Sequence, residues 1–131
     1  FIEQLAELIK VRVLQADYSD INIYYPIFVA CQALRHLPLS NELAWYSTRN
    51  CLQLRQYNMA SKFIKYFNMQ NELSKQEVLE YAQDMADNGR IGALLEFLAL
   101  FPEVDIYPYL NTVVDRQLKK LNLDILLEHQ E

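Results

Sequence analysis

The sequence predicts an all-α fold, a short stack of antiparallel helical hairpins. Three observations predict it. Apolar residues recur at steps of three and four through most of the chain, which is the signature of helices with one buried face. Only 2 Gly and 4 Pro occur among 131 residues, too few for the frequent tight turns of an all-β design. All four prolines, Pro26, Pro38, Pro102 and Pro108, fall at predicted helix boundaries and none is expected in a helix interior. With 52% hydrophobic and 22% charged residues, the chain can bury enough apolar surface to offset its conformational entropy, and its length suits one domain spanning 1–131.

The first helix is expected over 2–16, where Ile2, Leu5, Ile9, Val13 and Ala16 make an apolar stripe opposite Glu3, Glu7, Lys10 and Arg12. Ser19 and Asp20 supply turn chemistry. Pro26 suits the first turn of a second helix reaching about His36, because its missing N–H has no helical partner there; Pro38 marks that helix as ended. Ser40 and Asn41 can cap a third helix to about Arg55, and Tyr57-Asn58 form a break before a fourth, Met59 to Asn68. Ser74-Lys75-Gln76-Glu77 has capping-box spacing and opens a fifth helix, which Gly89 can close in the left-handed conformation. A sixth runs from Arg90 to Phe101 before Pro102. A seventh opens near Pro108 and reaches Lys120, and Asn122 can cap an eighth.

Starts of the first helix in each of the last three hairpins fall near residues 40, 74 and 105, and of the second near 57, 90 and 122. These spacings approach the period of about 33 to 35 residues of helical-hairpin repeats, whose units bury their faces by stacking. An α-solenoid of about four hairpins is therefore expected, with a closed helical bundle as the alternative.

Asn111-Thr112-Val113-Val114-Asp115, with Lys119, Leu123-Asp124 and Leu127-Glu128, resembles a pentatricopeptide unit from its first helix into its second. Gly89-Arg90-Ile91 with Leu95-Glu96 is similar to the turn and second helix of another, and Tyr57 and Ala60 resemble inter-helix positions of a tetratricopeptide unit. The likeness spans residues 40 to 131. It implies a concave helical face that binds a peptide in one family and single-stranded RNA in the other.

Chemistry is sparse. His36 and His129 are too few for a metal cluster or a proton relay, and the pairs Glu3 with Glu7 and Asp84 with Asp87 read as solvated charge. No glycine-rich phosphate loop or nucleophile elbow occurs, so no catalytic residue, cofactor, metal or small-molecule substrate is expected. Cys31 and Cys51 lie in apolar helical stretches and are expected to be buried free thiols. No apolar run reaches the length of a membrane span and no secretory signal is visible, which points to an intracellular protein.

Net charge is −5, distributed unevenly. Residues 1–71 hold seven Lys or Arg against five Asp or Glu, whereas residues 72–105 hold two against eight. The expected function is a non-catalytic protein-interaction or scaffold module within a longer solenoid. RNA binding through Arg49, Arg55, Lys62 and Lys65 is the alternative, and a helical-bundle enzyme domain ranks last. RNA affinity is expected to be weak and insensitive to salt, since no short window gathers four bases. Tyr24, Tyr25, Tyr107 and Tyr109, beside prolines at helix starts, are candidate contact residues together with Arg49, Arg55 and Leu126. Trp45, Tyr46, Phe63, Phe67, Phe97 and Phe101 are expected in the core. The final segment, with Leu123, Ile125, Leu126 and Leu127, carries more apolar surface than one inward stripe. It is expected either to meet a further hairpin of a longer chain or to pair with a second copy.

Overall fold

The computed structural model describes residues 20–129, with Gln4, Leu8 and Val11 nearer the start, and side chains as far as Asn122. Six α-helices and no strand occur among the described residues: α1 Tyr24–Ala33, α2 Pro38–Gln53, α3 Tyr57–Phe67, α4 Lys75–Asp87, α5 Ile91–Leu98 and α6 Tyr107–His129. The all-α expectation therefore holds. The helix expected over 2–16 lies outside the described residues, apart from Gln4, Leu8 and Val11, which are helical and exposed. The chain divides into two compact units, Phe1–Glu72 and Leu73–Glu131.

In the first unit, the Asp20 carboxylate accepts from the Asn22 amide at 3.0 Å and starts a short 3-10 turn, Ile21–Ile23, that leads into α1. Pro26 sits in the first turn of α1, as its fixed φ favours. Helix α2 begins on Pro38 itself, with Leu37 extended before it. The proline expected to stop one helix in fact starts the next, because its missing N–H is harmless at the first helical position. Ser40 is accordingly no cap: it lies inside α2, buried, and its hydroxyl donates to the Cys31 carbonyl at 2.6 Å, joining α2 to α1.

Helix α2 ends at Gln53. Arg55 then takes the left-handed conformation at φ 58°, and the Gln56 amide reaches back to the Cys51 carbonyl at 2.8 Å. The break thus falls before Tyr57, and Tyr57-Asn58 already belong to α3. Asn68, at φ 53°, closes α3 in the same left-handed way, with the Met69 amide donating to the Ile64 carbonyl. Helix α1 packs on both α2 and α3, and α2 packs along α3. The core between them holds Tyr24, Ile27, Cys31, Leu43, Ala44, Cys51, Leu52, Ala60, Phe63 and Ile64.

In the second unit, Ser74 Oγ accepts from the Glu77 amide at 3.1 Å, the capping geometry the sequence predicts. Gly89, at φ 68°, closes α4, and the Arg90 amide donates to the Met85 carbonyl at 2.9 Å. Helix α5 ends at Leu98, short of Phe101, because the last residues tighten into turns: Leu100 and Phe101 donate to the carbonyls of Phe97 and Leu98. Asp105 Oδ1 caps the Tyr107 amide at 3.1 Å and opens α6. Helix α4 packs on α5 and on α6, burying Val78, Ala82, Met85, Ala86, Leu94, Phe97, Leu98, Tyr109 and Val113.

Helix α6 corrects the expected seventh and eighth helices. Both are one continuous element, and Asn122 lies within it rather than capping a new helix. No Gly or Pro occurs after Pro108, and one asparagine in a helix interior costs only about 0.5 kcal/mol, too little to break a helix.

Candidate binding surface

Helical periodicity places Tyr25, Phe28 and Gln32 on one face of α1, and Lys62, Lys65 and Tyr66 on one face of α3. Where the two helices meet, these six residues line an open groove of about 610 Å³. Phe28 forms its floor. Its ring stands edge-on to Phe63 at 5.1 Å, to Tyr66 at 5.7 Å and to Phe67 at 6.5 Å, so it is held by packing before any partner arrives. Tyr25 is 58% exposed, and the Lys62 ammonium lies 5.8 Å from its ring centroid. Arg35 donates to the Tyr66 hydroxyl at 3.0 Å and adds a third cation beside the groove. No carboxylate lines it, so the potential inside favours an anionic visitor.

A smaller groove in the same unit, about 370 Å³, is lined by Asn41, Glu42, Trp45, Phe67, Asn68, Met69 and Glu72. Its two carboxylates give it the opposite sign. Phe67 borders this second groove and also packs against Phe28, so the two apolar floors share one aromatic cluster.

The candidate contact residues scatter. Tyr25 lines the basic groove, but its neighbour Tyr24 is fully buried and belongs to the core, because consecutive helical residues point about 100° apart. Tyr107 and Tyr109 divide in the same way: Tyr107 is exposed and Tyr109 buried against the second unit's core. The Arg49 guanidinium lies over the Trp45 ring, 5.1 Å from its centroid. Arg55 forms the left-handed turn between α2 and α3, away from the basic groove's lining. The side chain of Leu126 lies outside the described residues. Tyr46, expected in the core, is exposed.

Phe28, Gln32, Arg35 and Tyr66 were not singled out from sequence. Their positions at helical spacing are legible, but the pairing of α1 with α3 across α2 is not.

Cys31 and Cys51 are buried free thiols, as expected. Burial pushes Cys31 up to about 11, a little offset by its hydrogen bond with Ser40, and pushes Cys51 up to about 12. Neither is poised as a nucleophile. Among the described residues, no three His, Cys, Asp or Glu side chains group to hold a metal, and no helix is long and apolar enough to cross a membrane. Comparison with protein-family models, curated protein sequences and solved structures finds no match.

Proposed function

We propose that the chain is a non-catalytic protein-interaction module whose α1/α3 groove receives an acidic partner segment carrying an apolar anchor. The observation that carries this reading is a preformed aromatic floor flanked by Lys62 and Lys65 with no lining carboxylate. An apolar side chain would be desolvated over Phe28, and carboxylates beside it would meet the lysines and Arg35. The finer architecture, an α-solenoid of hairpins, belongs to the same proposal and is supported only within the first unit, by α1 lying on both α2 and α3, since the helix start expected near 122 is absent from the continuous α6. The resemblance of residues 40 to 131 to tetratricopeptide and pentatricopeptide repeats adds an expectation of peptide binding from the first family and of single-stranded RNA binding from the second.

A second reading, single-stranded RNA, is favoured by one observation: Tyr25 and Tyr66 present aromatic rings beside Lys62 and Lys65. Three cations would neutralise few phosphates, giving a salt slope of only about −2 in log units. Protein binding ranks first for that reason.

Fluorescence anisotropy tests the pair of readings with two labelled probes, a peptide with Phe or Leu flanked by Glu and a single-stranded oligouridylate, at two salt concentrations. The expected result is preference for the peptide, weakened about tenfold or more in a Lys62→Glu, Lys65→Glu double variant. Tighter, steeply salt-dependent binding of the oligonucleotide would promote RNA, and indifference of both probes to the double variant would remove the groove from either reading.

A further inference from the structure

The second unit carries a surface with the chemistry that the α1/α3 groove calls for. Helix α5 buries Leu94, Phe97 and Leu98 on one face. Its other face exposes Ile91 and Leu95, 41% and 46% accessible, with Gly92 and Glu96 beside them and Ala99 just past the helix end. Helical spacing puts Gly92, Leu95 and Ala99 in one row, so Leu95 stands proud between two small residues. A Cβ on Gly92 would meet no neighbouring group within 4 Å, so the fold of this unit does not need a glycine there. What the missing side chain leaves is room for another surface to come close beside Leu95. Charge on this stretch has one sign. Arg90 precedes α5 and no Lys or Arg then occurs until Arg116, while Glu96, Glu103 and Asp105 are all exposed.

We infer that the segment received by the α1/α3 groove is the outer face of α5 in a second copy of this chain, with Leu95 over Phe28 and with Glu96 and Glu103 toward Lys62, Lys65 and Arg35. The inference rests on the groove reading above and names its occupant.

Charge selects both the partner and the orientation. The unit Phe1–Glu72 holds seven Lys or Arg against six Asp or Glu, and Leu73–Glu131 holds five against eleven. Unlike units of two copies therefore attract, whereas two second units repel. The contact joins two different surfaces, and each copy offers one of each, so copies add head to tail or two of them close reciprocally into a pair. An eight-residue helix over a groove lined by six residues buries less than the standard interface of about 1,600 Å², so association is expected to be transient and weakened by salt.

Sedimentation velocity on the full chain, from micromolar to millimolar concentration at low and high salt, tests the contact. The wild type is expected to associate at low salt and to return toward monomer at high salt. The groove variant Lys62→Glu, Lys65→Glu and the α5 variant Glu96→Lys, Glu103→Lys should each stay monomeric alone. Mixed, they should associate, because acidic groove then meets basic α5 and basic groove meets acidic α5. Gly92→Gln adds bulk without charge at an exposed position; it should match wild-type helicity by circular dichroism and fail to associate. A wild type that stays monomeric throughout, a mixture no more associated than its components, or association undiminished by Gly92→Gln overturns the inference.

The labelled acidic peptide keeps the two readings apart. It should bind the α5 variant as tightly as it binds dilute wild type, since that groove is intact. Peptide bound by a wild type that never associates would overturn the α5 contact and leave the groove reading standing. Peptide ignored by both chains would remove the groove reading, and the α5 contact with it.

Discussion

Ala60 is fully buried on α3, the helix that packs along α2, and replacing it with glutamate puts a carboxylate where two helices meet. The added methylene and carboxyl overfill a packed contact, at about 1 to 3 kcal/mol. Burying the carboxyl without a partner costs about 2 kcal/mol more. A unit spanning Phe1–Glu72 is stabilised by roughly 4 to 10 kcal/mol, so a loss of about 3 to 5 consumes much of it. A thermal midpoint lowered by about 15 °C or more is expected, followed by far-ultraviolet circular dichroism. The pH dependence has a definite sign. Burial raises the pKa of the new carboxyl above its unfolded value of about 4.3, so the electrostatic part of the loss vanishes below that pH and grows as pH rises through it. Ala60→Gly, which costs helix propensity and one buried methyl, should lose about 1 to 2 kcal/mol, and Asn58→Glu on the exposed side should change little. An Ala60→Glu midpoint within about 2 °C of wild type, at neutral pH, would show that α3 does not present this residue to α2.

Asn122→Ala distinguishes a continuous α6 from two helices: inside a helix it should stabilise by about 0.5 kcal/mol, whereas removing a cap would cost about 1, and urea unfolding reads the sign. Gly89→Ala should destabilise by about 1 kcal/mol in the same assay, since a Cβ there meets Arg116 only at ordinary contact distance, 3.8 Å, and the cost is the backbone's at φ 68°; an unchanged midpoint would argue against the left-handed cap. Native Cys31 and Cys51 should resist a thiol reagent at pH 8 and both react after denaturation. Because their folded pKa values, about 11 and 12, exceed the ordinary 9.0, the thiols leave stability unaffected below pH 9 and lower it as pH rises from 9 toward 11; a pH series of urea melts comparing wild type with Cys51→Ala checks this.

Local chemistry was legible wherever a residue acts through its own neighbours in the chain. Periodicity marks the helices, Ser74 caps the amide three residues on, Gly89 closes a helix in the left-handed conformation that a residue without a Cβ adopts most readily, and the prolines stand at or beside helix ends. The misreadings arose where two local roles compete and packing chooses. Pro38 suits either the end of one helix or the start of the next, Ser40 either a cap or a bridge to Cys31, and Asn122 either a cap or an interior position. The candidate site was half legible. Helical spacing places Lys62, Lys65 and Tyr66 together, and Tyr25 with Phe28, but no window of sequence gathers a basic cluster, because Arg35 lies more than 25 residues before Lys62. Only the packing of α1 on α3, with Phe28 seated among Phe63, Tyr66 and Phe67, makes one groove of two unremarkable faces. The physical reason is one of range: hydrogen bonding within a turn is set by residues a few places apart, whereas contact between helices is set by which apolar faces find each other once the chain has closed its loops.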